Sequence, residues 1–308
     1  MLDETRRFLR KVDQDLRNLD VLDLVPRLTL ILLILYAGDF WYLEVPLRVL
    51  CVGALLYRPV YRSGVFWFLV TCFLFAANYE HWYSIDNHKY LMTYWAIALT
   101  CTSFLGGVPG QRRVLARNAK LLIGLCMAFA ALWKVISPDY LDGRFFRFTL
   151  ITDPRFASVA EVAGGLGPAE FYRNRTLARS LRVGTRDAPV VEEVELVDTP
   201  RLARVAGVLT WWTIGIEALL ALAFLLPDRW PPGPRWRHGL LLLFAITTYS
   251  IATVIGFAWL LIIMAVATVP PELPRLRTLY VAVFLLMMVY TGSWATLVLP
   301  VLRWLGAI

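Results

Sequence analysis

Lysine is nearly absent: only Lys11, Lys89, Lys120 and Lys134 occur in 308 residues, so arginine carries almost all of the +8 net charge. Charge of either sign is scarce, at 18% of residues, where soluble domains carry roughly 25%. The charges that exist are bunched between long apolar stretches, which argues against a mixed polar surface. Basic charge placed beside such stretches points to membrane topology and anionic lipid, and away from nucleic acid as a partner. The four cysteines, Cys51, Cys72, Cys101 and Cys126, each sit inside an apolar stretch, and no pair has CxxC spacing. That excludes a disulfide framework and a thiolate metal site, and leaves small core residues. No GxSxG, Walker loop, GxGxxG, HExxH or CxxCH occurs, which disfavours hydrolase, nucleotide-driven and c-type haem chemistry. The first 27 residues are densely charged and lack the apolar region of a cleavable signal peptide. The first apolar stretch is therefore expected to direct insertion itself.

Apolar residues make up 58% of the chain. A bilayer core about 30 Å thick takes roughly 20 apolar residues per helix, fewer with snorkelling ends. Stretches of that kind lie near 28–43, 46–57, 64–78, 90–105, 121–136, 205–226, 239–269 and 279–302. At about 1.5 Å per residue, the run 239–269 exceeds one bilayer width. It is either one tilted helix or two segments broken near Thr247, Thr248, Tyr249 and Ser250. The expected fold is all-α: a multi-pass transmembrane helical bundle of eight spans, nine if that run splits. Residues 1–27 form an amphipathic helix, with Leu9, Val12, Leu16, Leu19 and Leu22 at spacings of three and four. Spans one to five occupy 28–136, a long extracytoplasmic segment 137–201, and the remaining spans 202–308.

Short basic loops orient the bundle. Arg58 and Arg62, Arg112 to Lys120, and Arg229 to Arg237 fall on the side of the basic N-terminus. The N-terminus is thus expected to be cytoplasmic, in a plasma (inner) membrane, with 79–89 and 137–201 facing outward. Trp41, Tyr42, Trp82, Tyr83, Trp211 and Trp212 form the aromatic belt of the lipid–water boundary. The outer segment is punctuated at Asp153-Pro154, Gly164-Gly165 and Gly167-Pro168, and 190–197 reads as a strand. It is too short for a full core of its own and is expected to cap the outer mouth.

Ionisable residues within spans are costly and are functional candidates by default. They are Asp39, His81, Asp86, His88, Lys134 and Glu217, with Arg27 at the inner edge. Lys134, in Trp133-Lys134-Val135-Ile136, is a candidate base or nucleophile; alternatively it snorkels outward or pairs with Asp139 or Asp142. Glu217, near mid-span, must be protonated, line a wet cavity, or pair with Lys134, an arginine or a histidine. Otherwise it serves as glue between helices. Glu80, His81 and His88 make only a weak metal site, and none is expected. The hydroxyls at 247–250 either line a cavity or bond the preceding turn.

Asp86-Asn87-His88-Lys89-Tyr90-Leu91 resembles the Asn-Asn-His-x-Tyr-Leu motif of the HTTM (horizontally transferred transmembrane) domain family, which includes vitamin K-dependent γ-carboxylases. Asp139-Tyr140-Leu141-Asp142-Gly143, following Lys134, resembles that family's segment of a lysine followed by Asp-Trp-Leu/Val-x-Gly, and Arg27 fits an arginine near the first span. The resemblance covers roughly residues 20 to 300. It implies Lys134 as the base acting on a reduced vitamin K or menaquinone, with His88 in support; Glu217, singled out by its charge within a span, is a third catalytic candidate. Asn87, Tyr90, Trp133 and Tyr249 become candidate cofactor-binding residues. The implied partners are membrane lipid, a lipid-like quinone and a secreted peptide or protein substrate. The family's later span usually carries a histidine; 239–269 has none, and His238 stands at its edge. Two other functions compete: a non-catalytic scaffold binding lipid or a partner, and a transporter, which internal repeats would favour and the sequence lacks.

Overall fold

In a computed structural model, the structure describes residues 7, 11, 13–35, 40–80, 82–83, 85–182, 195–227, 233–251, 254 and 256–291. Every regular element among them is helical. The principal helices are α1 (Val21–Leu35), α2 (Trp41–Leu56), α3 (Gly64–Glu80), α4 (Asn87–Phe104), α5 (Val108–Ile136), α6 (Arg144–Thr152), α7 (Pro168–Arg182), α8 (Pro200–Leu225), α9 (Pro234–Ile251), α10 (Phe257–Thr268) and α11 (Pro274–Tyr290). Proline opens four of them, α7, α8, α9 and α11. Its fixed φ suits the first turn, where the missing N–H costs nothing. Helices α5 and α8 are long and apolar enough to cross a membrane; α3 and α10 are shorter and apolar.

The chain forms two compact units. The first comprises 1–124, 227–234 and 254–308, and the second 125–226 and 235–253. In the first, α3 packs along α4, α1 packs against α2 and α10, and α10 packs against α11. Helix α10 is apolar on every face, and Ala258 through Ala267 are all buried; such a helix belongs inside a bundle. Large indoles fill this unit, and two of them have their N–H groups satisfied. Trp95 donates to Thr29 Oγ1 at 3.0 Å and Trp67 to the Tyr61 carbonyl at 2.8 Å.

The run 239–269 is divided, but not at Thr247–Ser250. Helix α9 continues to Ile251, and α10 begins after Gly256, whose φ of 88° suits only glycine. The patch at 247–250 does not break the helix, and two of its hydroxyls bond the preceding turn. Thr247 donates to the Leu243 carbonyl at 2.8 Å and Ser250 to that of Ile246 at 2.7 Å.

In the second unit, the segment after Ser137 is helical between its expected turns. Its core joins Tyr140, Phe146, Leu150, Phe156 and Phe171 to Leu202, Ala206 and Leu209 of α8. A segment too short to enclose a core thus completes one against the start of the next long helix. Of the strand expected at 190–197, residues 190–194 lie outside the described residues, and 195–197 carry no regular secondary structure. The side chain of Asn174 stands where a neighbouring strand would: it donates to the Val197 carbonyl at 2.8 Å and accepts from the Val197 amide at 2.9 Å.

Gly164 closes this cap. A Cβ there would lie 2.5 Å from the Ala160 carbonyl oxygen and 2.4 Å from Leu202 Cδ2. Gly164→Ala is expected to destabilise the second unit by about 1–3 kcal/mol, the usual cost of overpacking. Thermal unfolding of the purified variant checks this; an unchanged midpoint would show that the backbone yields freely there.

Candidate functional site

The centre of the second unit is a lysine and a glutamate brought together from 83 residues apart. Lys134 lies in the last turn of α5, and its Nζ donates to Glu217 Oε1 at 2.6 Å and to Oε2 at 2.5 Å. Glu217 projects from the middle of α8. The two side chains are 19% and 10% exposed, so the pair is largely withdrawn from solvent. Of the alternatives open for Lys134, the pairing with Glu217 is the one present. Asp139 and Asp142 instead face Arg144: Asp142 Oδ2 accepts from Arg144 Nε at 2.6 Å, and Asp139 lies 3.6 Å from its guanidinium. The Arg144 backbone amide, helped by its guanidinium, holds Asp142 below the usual carboxylate range.

Other polar groups gather on the same face of α8. Thr210, Thr213 and Glu217 recur at spacings of three and four, which places them on one helix face. Thr213 Oγ1 and the Tyr140 hydroxyl are hydrogen-bonded at 2.8 Å. The Tyr140 ring lies 5.5 Å from Lys134 Nζ, within cation–π range, and stacks on Phe145 at 5.0 Å. Thr210 Oγ1 is buried without a hydrogen-bond partner among the described residues. Gly143, with φ at 80°, turns the chain between Tyr140 and α6, and a Cβ there would come within 4.0 Å of Thr210 Oγ1.

The sequence alone did not single out Tyr140, Thr210 and Thr213 as site residues. The signal for the threonines was the spacing ahead of Glu217. Tyr140 lay in the Asp-Tyr-Leu segment, but nothing in the sequence shows that its ring faces Lys134.

The other candidates fall elsewhere. Trp133 is 72% exposed, one position round the helix from Lys134. Tyr249 is buried on α9, within the second unit. His88, Asn87 and Tyr90 belong to the first unit, at the start of α4. His88 is buried, and its ring lies 6.4 Å from that of Phe257, the first residue of α10. Tyr90 donates to the Trp82 carbonyl at 2.9 Å. Below them Asn78 donates to Thr93 Oγ1 at 2.9 Å, tying α3 to α4. Asp39 and His81 lie outside the described residues. Among the described residues, no group of three or more histidine, cysteine, aspartate or glutamate side chains is placed to hold a metal.

Arg27, on α1, donates to the Tyr61 hydroxyl at 3.2 Å and covers its ring at 5.5 Å. That contact joins an ionic network at the N-terminal end of the first unit. Asp23 accepts from Arg58 Nη2 at 2.7 Å, from Arg62 Nε at 2.9 Å and from the Tyr61 hydroxyl at 3.3 Å. Asp20 receives Arg62 at 3.4 Å and Arg112 at 3.2 Å. Arg277 donates to the Leu19 carbonyl at 2.9 Å, and Thr278 to Asp13 at 2.9 Å.

No protein-family model, no curated protein and no solved structure matches the chain.

Proposed function

We propose that the chain is a multi-pass integral membrane protein whose Lys134–Glu217 pair handles protons for quinol chemistry at the outer face, as the HTTM-like residues imply. The membrane reading is supported by apolar stripes that point outward. On α5, Leu121, Leu125, Phe129, Leu132 and Ile136 are exposed at spacings of three and four, opposite the buried Leu115, Ala119, Ile123 and Met127. Helix α8 exposes Val208, Trp211, Leu219 and Leu222. Water would penalise such stripes, whereas acyl chains solvate them. Trp41, Tyr42, Trp82 and Tyr83 are exposed at helix ends, as an aromatic belt requires. The nine-segment reading is supported by Arg277 and Thr278. Their bonds to Leu19 and Asp13 bring the start of α11 to the N-terminal side, which an unbroken run 239–269 would send to the other side. The same network gathers Arg58, Arg62 and Arg112, the residues that orient the bundle with a cytoplasmic N-terminus.

The observation that carries the chemical reading is the Lys134–Glu217 contact. Its net charge is the same whether the proton sits on the amine or on the carboxyl. A proton shift toward Glu217 leaves Lys134 as a free amine, which is a base, without creating an unpaired charge in a low-dielectric setting. The surroundings fit a quinol: stacked aromatic faces at Tyr140 and Phe145, and a buried hydroxyl without a partner at Thr210. When bound, such a cofactor supplies an acidic hydroxyl and reducing equivalents. Lys134 would then accept a proton at Nζ while Glu217 keeps the one it received, and Tyr140 with Thr213 keeps the amine oriented.

The test is oxidation of reduced vitamin K or menaquinone by the purified protein, beside Lys134→Ala. Loss of a general base is expected to lower turnover by about 10²–10⁴-fold. A well-folded wild type without turnover favours the second reading, a non-catalytic membrane scaffold. One observation already favours that reading: both Glu217 oxygens engage Lys134, so the pair also serves as a clamp between α5 and α8.

A further inference from the structure

A second charged site lies away from Lys134, in the cap formed by α6, α7 and the turn at Pro154–Phe156. A cavity of about 210 Å³ is lined by Thr152, Asp153, Pro154, Arg175, Ala178 and Arg179. Arg175, Ala178 and Arg179 share one face of α7, so two arginines at i and i+4 line the same cavity. Like charges so placed repel unless an anion lies between them. The one carboxylate in the lining, Asp153, is engaged by Arg155, accepting from its amide and Nε at 3.0 Å each. Neither Arg175 nor Arg179 has an ion pair among the described residues, and Arg175 Nε is buried without an acceptor. Helix α7 compounds the excess, with Arg173, Arg175, Arg179 and Arg182 against a single acid, Glu170. Glu170 is itself turned to the helix start, accepting from the Gly167 amide at 2.9 Å.

We propose that this cavity binds a phosphate group, held by the paired forks of Arg175 and Arg179. Guanidinium matches phosphate oxygens with two parallel hydrogen bonds, and two such groups match the charge of a tetrahedral oxyanion better than that of a single carboxylate. The Thr152 hydroxyl is turned to the Phe148 carbonyl, at 2.7 Å, so recognition rests on the arginines. The phosphate is either a free anion or the headgroup of an anionic lipid, and the chemistry of the site is the same for both.

Calorimetric titration of the full chain in neutral detergent with inorganic phosphate, at constant ionic strength, is the first measurement. Unfolding midpoints in nanodiscs of phosphatidylcholine, with and without phosphatidylglycerol, are the second. Saturable phosphate binding, weakened at least tenfold in Arg175→Gln/Arg179→Gln, is the expected result for a free anion. Stabilisation by phosphatidylglycerol, lost in the same variant, is the expected result for a headgroup. Arg173→Gln, on another face of α7, is expected to leave both unchanged. Should the double variant misfold, Arg179→Gln alone removes one fork from an exposed position and is expected to weaken binding in the same assay. Absence of both effects in wild type, or equal effects in wild type and Arg179→Gln, overturns the proposal.

Discussion

Lys134→Ala is expected to destabilise the second unit by about 3–5 kcal/mol, the usual cost of removing one member of a buried ion pair. The cost is that of the charge left behind rather than the worth of the contact. Glu217 sits in the middle of α8, between Ile216 and Ala218, and its carboxylate accepts only from Lys134 among the described residues. Without the amine, Glu217 must take up a proton or draw water into the bundle. Lys134→Met combined with Glu217→Leu removes both charges at similar volume and is expected to recover most of that stability, since apolar replacements of buried pairs are often neutral or better. Thermal or denaturant unfolding in detergent measures both variants. If the double variant is as unstable as Lys134→Ala, the loss comes from packing, and the ion pair is not the clamp. The double variant also separates folding from chemistry, because it keeps the helices together without a base. Stable protein that has lost quinol turnover is the outcome expected if the pair is catalytic.

Asp23→Ala is expected to be the second most damaging substitution, at about 2–4 kcal/mol, in the range for a buried charge-assisted network that loses its acceptor. One carboxylate, 6% exposed, takes bonds from Arg58, Arg62 and Tyr61. Arg58 is 62% exposed and can turn to water, but Arg62 and the Tyr61 hydroxyl lie deeper and are left without that partner. The network also predicts a pH dependence. Asp23 stands in the first turn of α1, ahead of the apolar stretch that starts at Leu28. Burial alone would raise its pKa, but hydrogen bonds and charge from Arg62 and Arg58 outweigh that and hold it down to about 2. A depressed carboxylate stabilises the fold above its unfolded value of about 3.9. That stabilisation, on the order of 2 kcal/mol, is expected to fall away as the pH drops from about 4 towards 2. Unfolding midpoints across that range, in wild type and in Asp23→Asn, measure it. A slope as steep in the variant as in wild type would assign the acid sensitivity to another group.

Much of the architecture was legible in the chain as written. Apolar runs separated by short arginine-bearing turns point to helices, because a buried backbone must close its own hydrogen bonds. Proline followed by an apolar run marks where several of them start. Lys134 and Glu217 stood out for the same reason: a charge inside an apolar run is costly and needs a partner. Their pairing was one option among several, since pattern on a single helix gives a residue's face but not what faces it. The helices of 137–182 were missed because their apolar residues are few and interrupted by arginine. They become a core only against Leu202, Ala206 and Leu209 of α8.

The sequence by itself determined that the chain is helical, where its apolar runs lie, and which few charges within them must be satisfied, because composition and periodicity act locally. Only the tertiary structure decided that Lys134 meets Glu217 and not Asp139 or Asp142, and that Tyr140 covers the amine while Arg144 takes the two aspartates. It also decided that the run 239–269 breaks at Gly256, beyond the hydroxyl patch, where Thr247 and Ser250 found acceptors in their own helix. In each of these cases the outcome depended on which groups were left without a partner once neighbouring helices had packed, and no one-dimensional pattern contains that information.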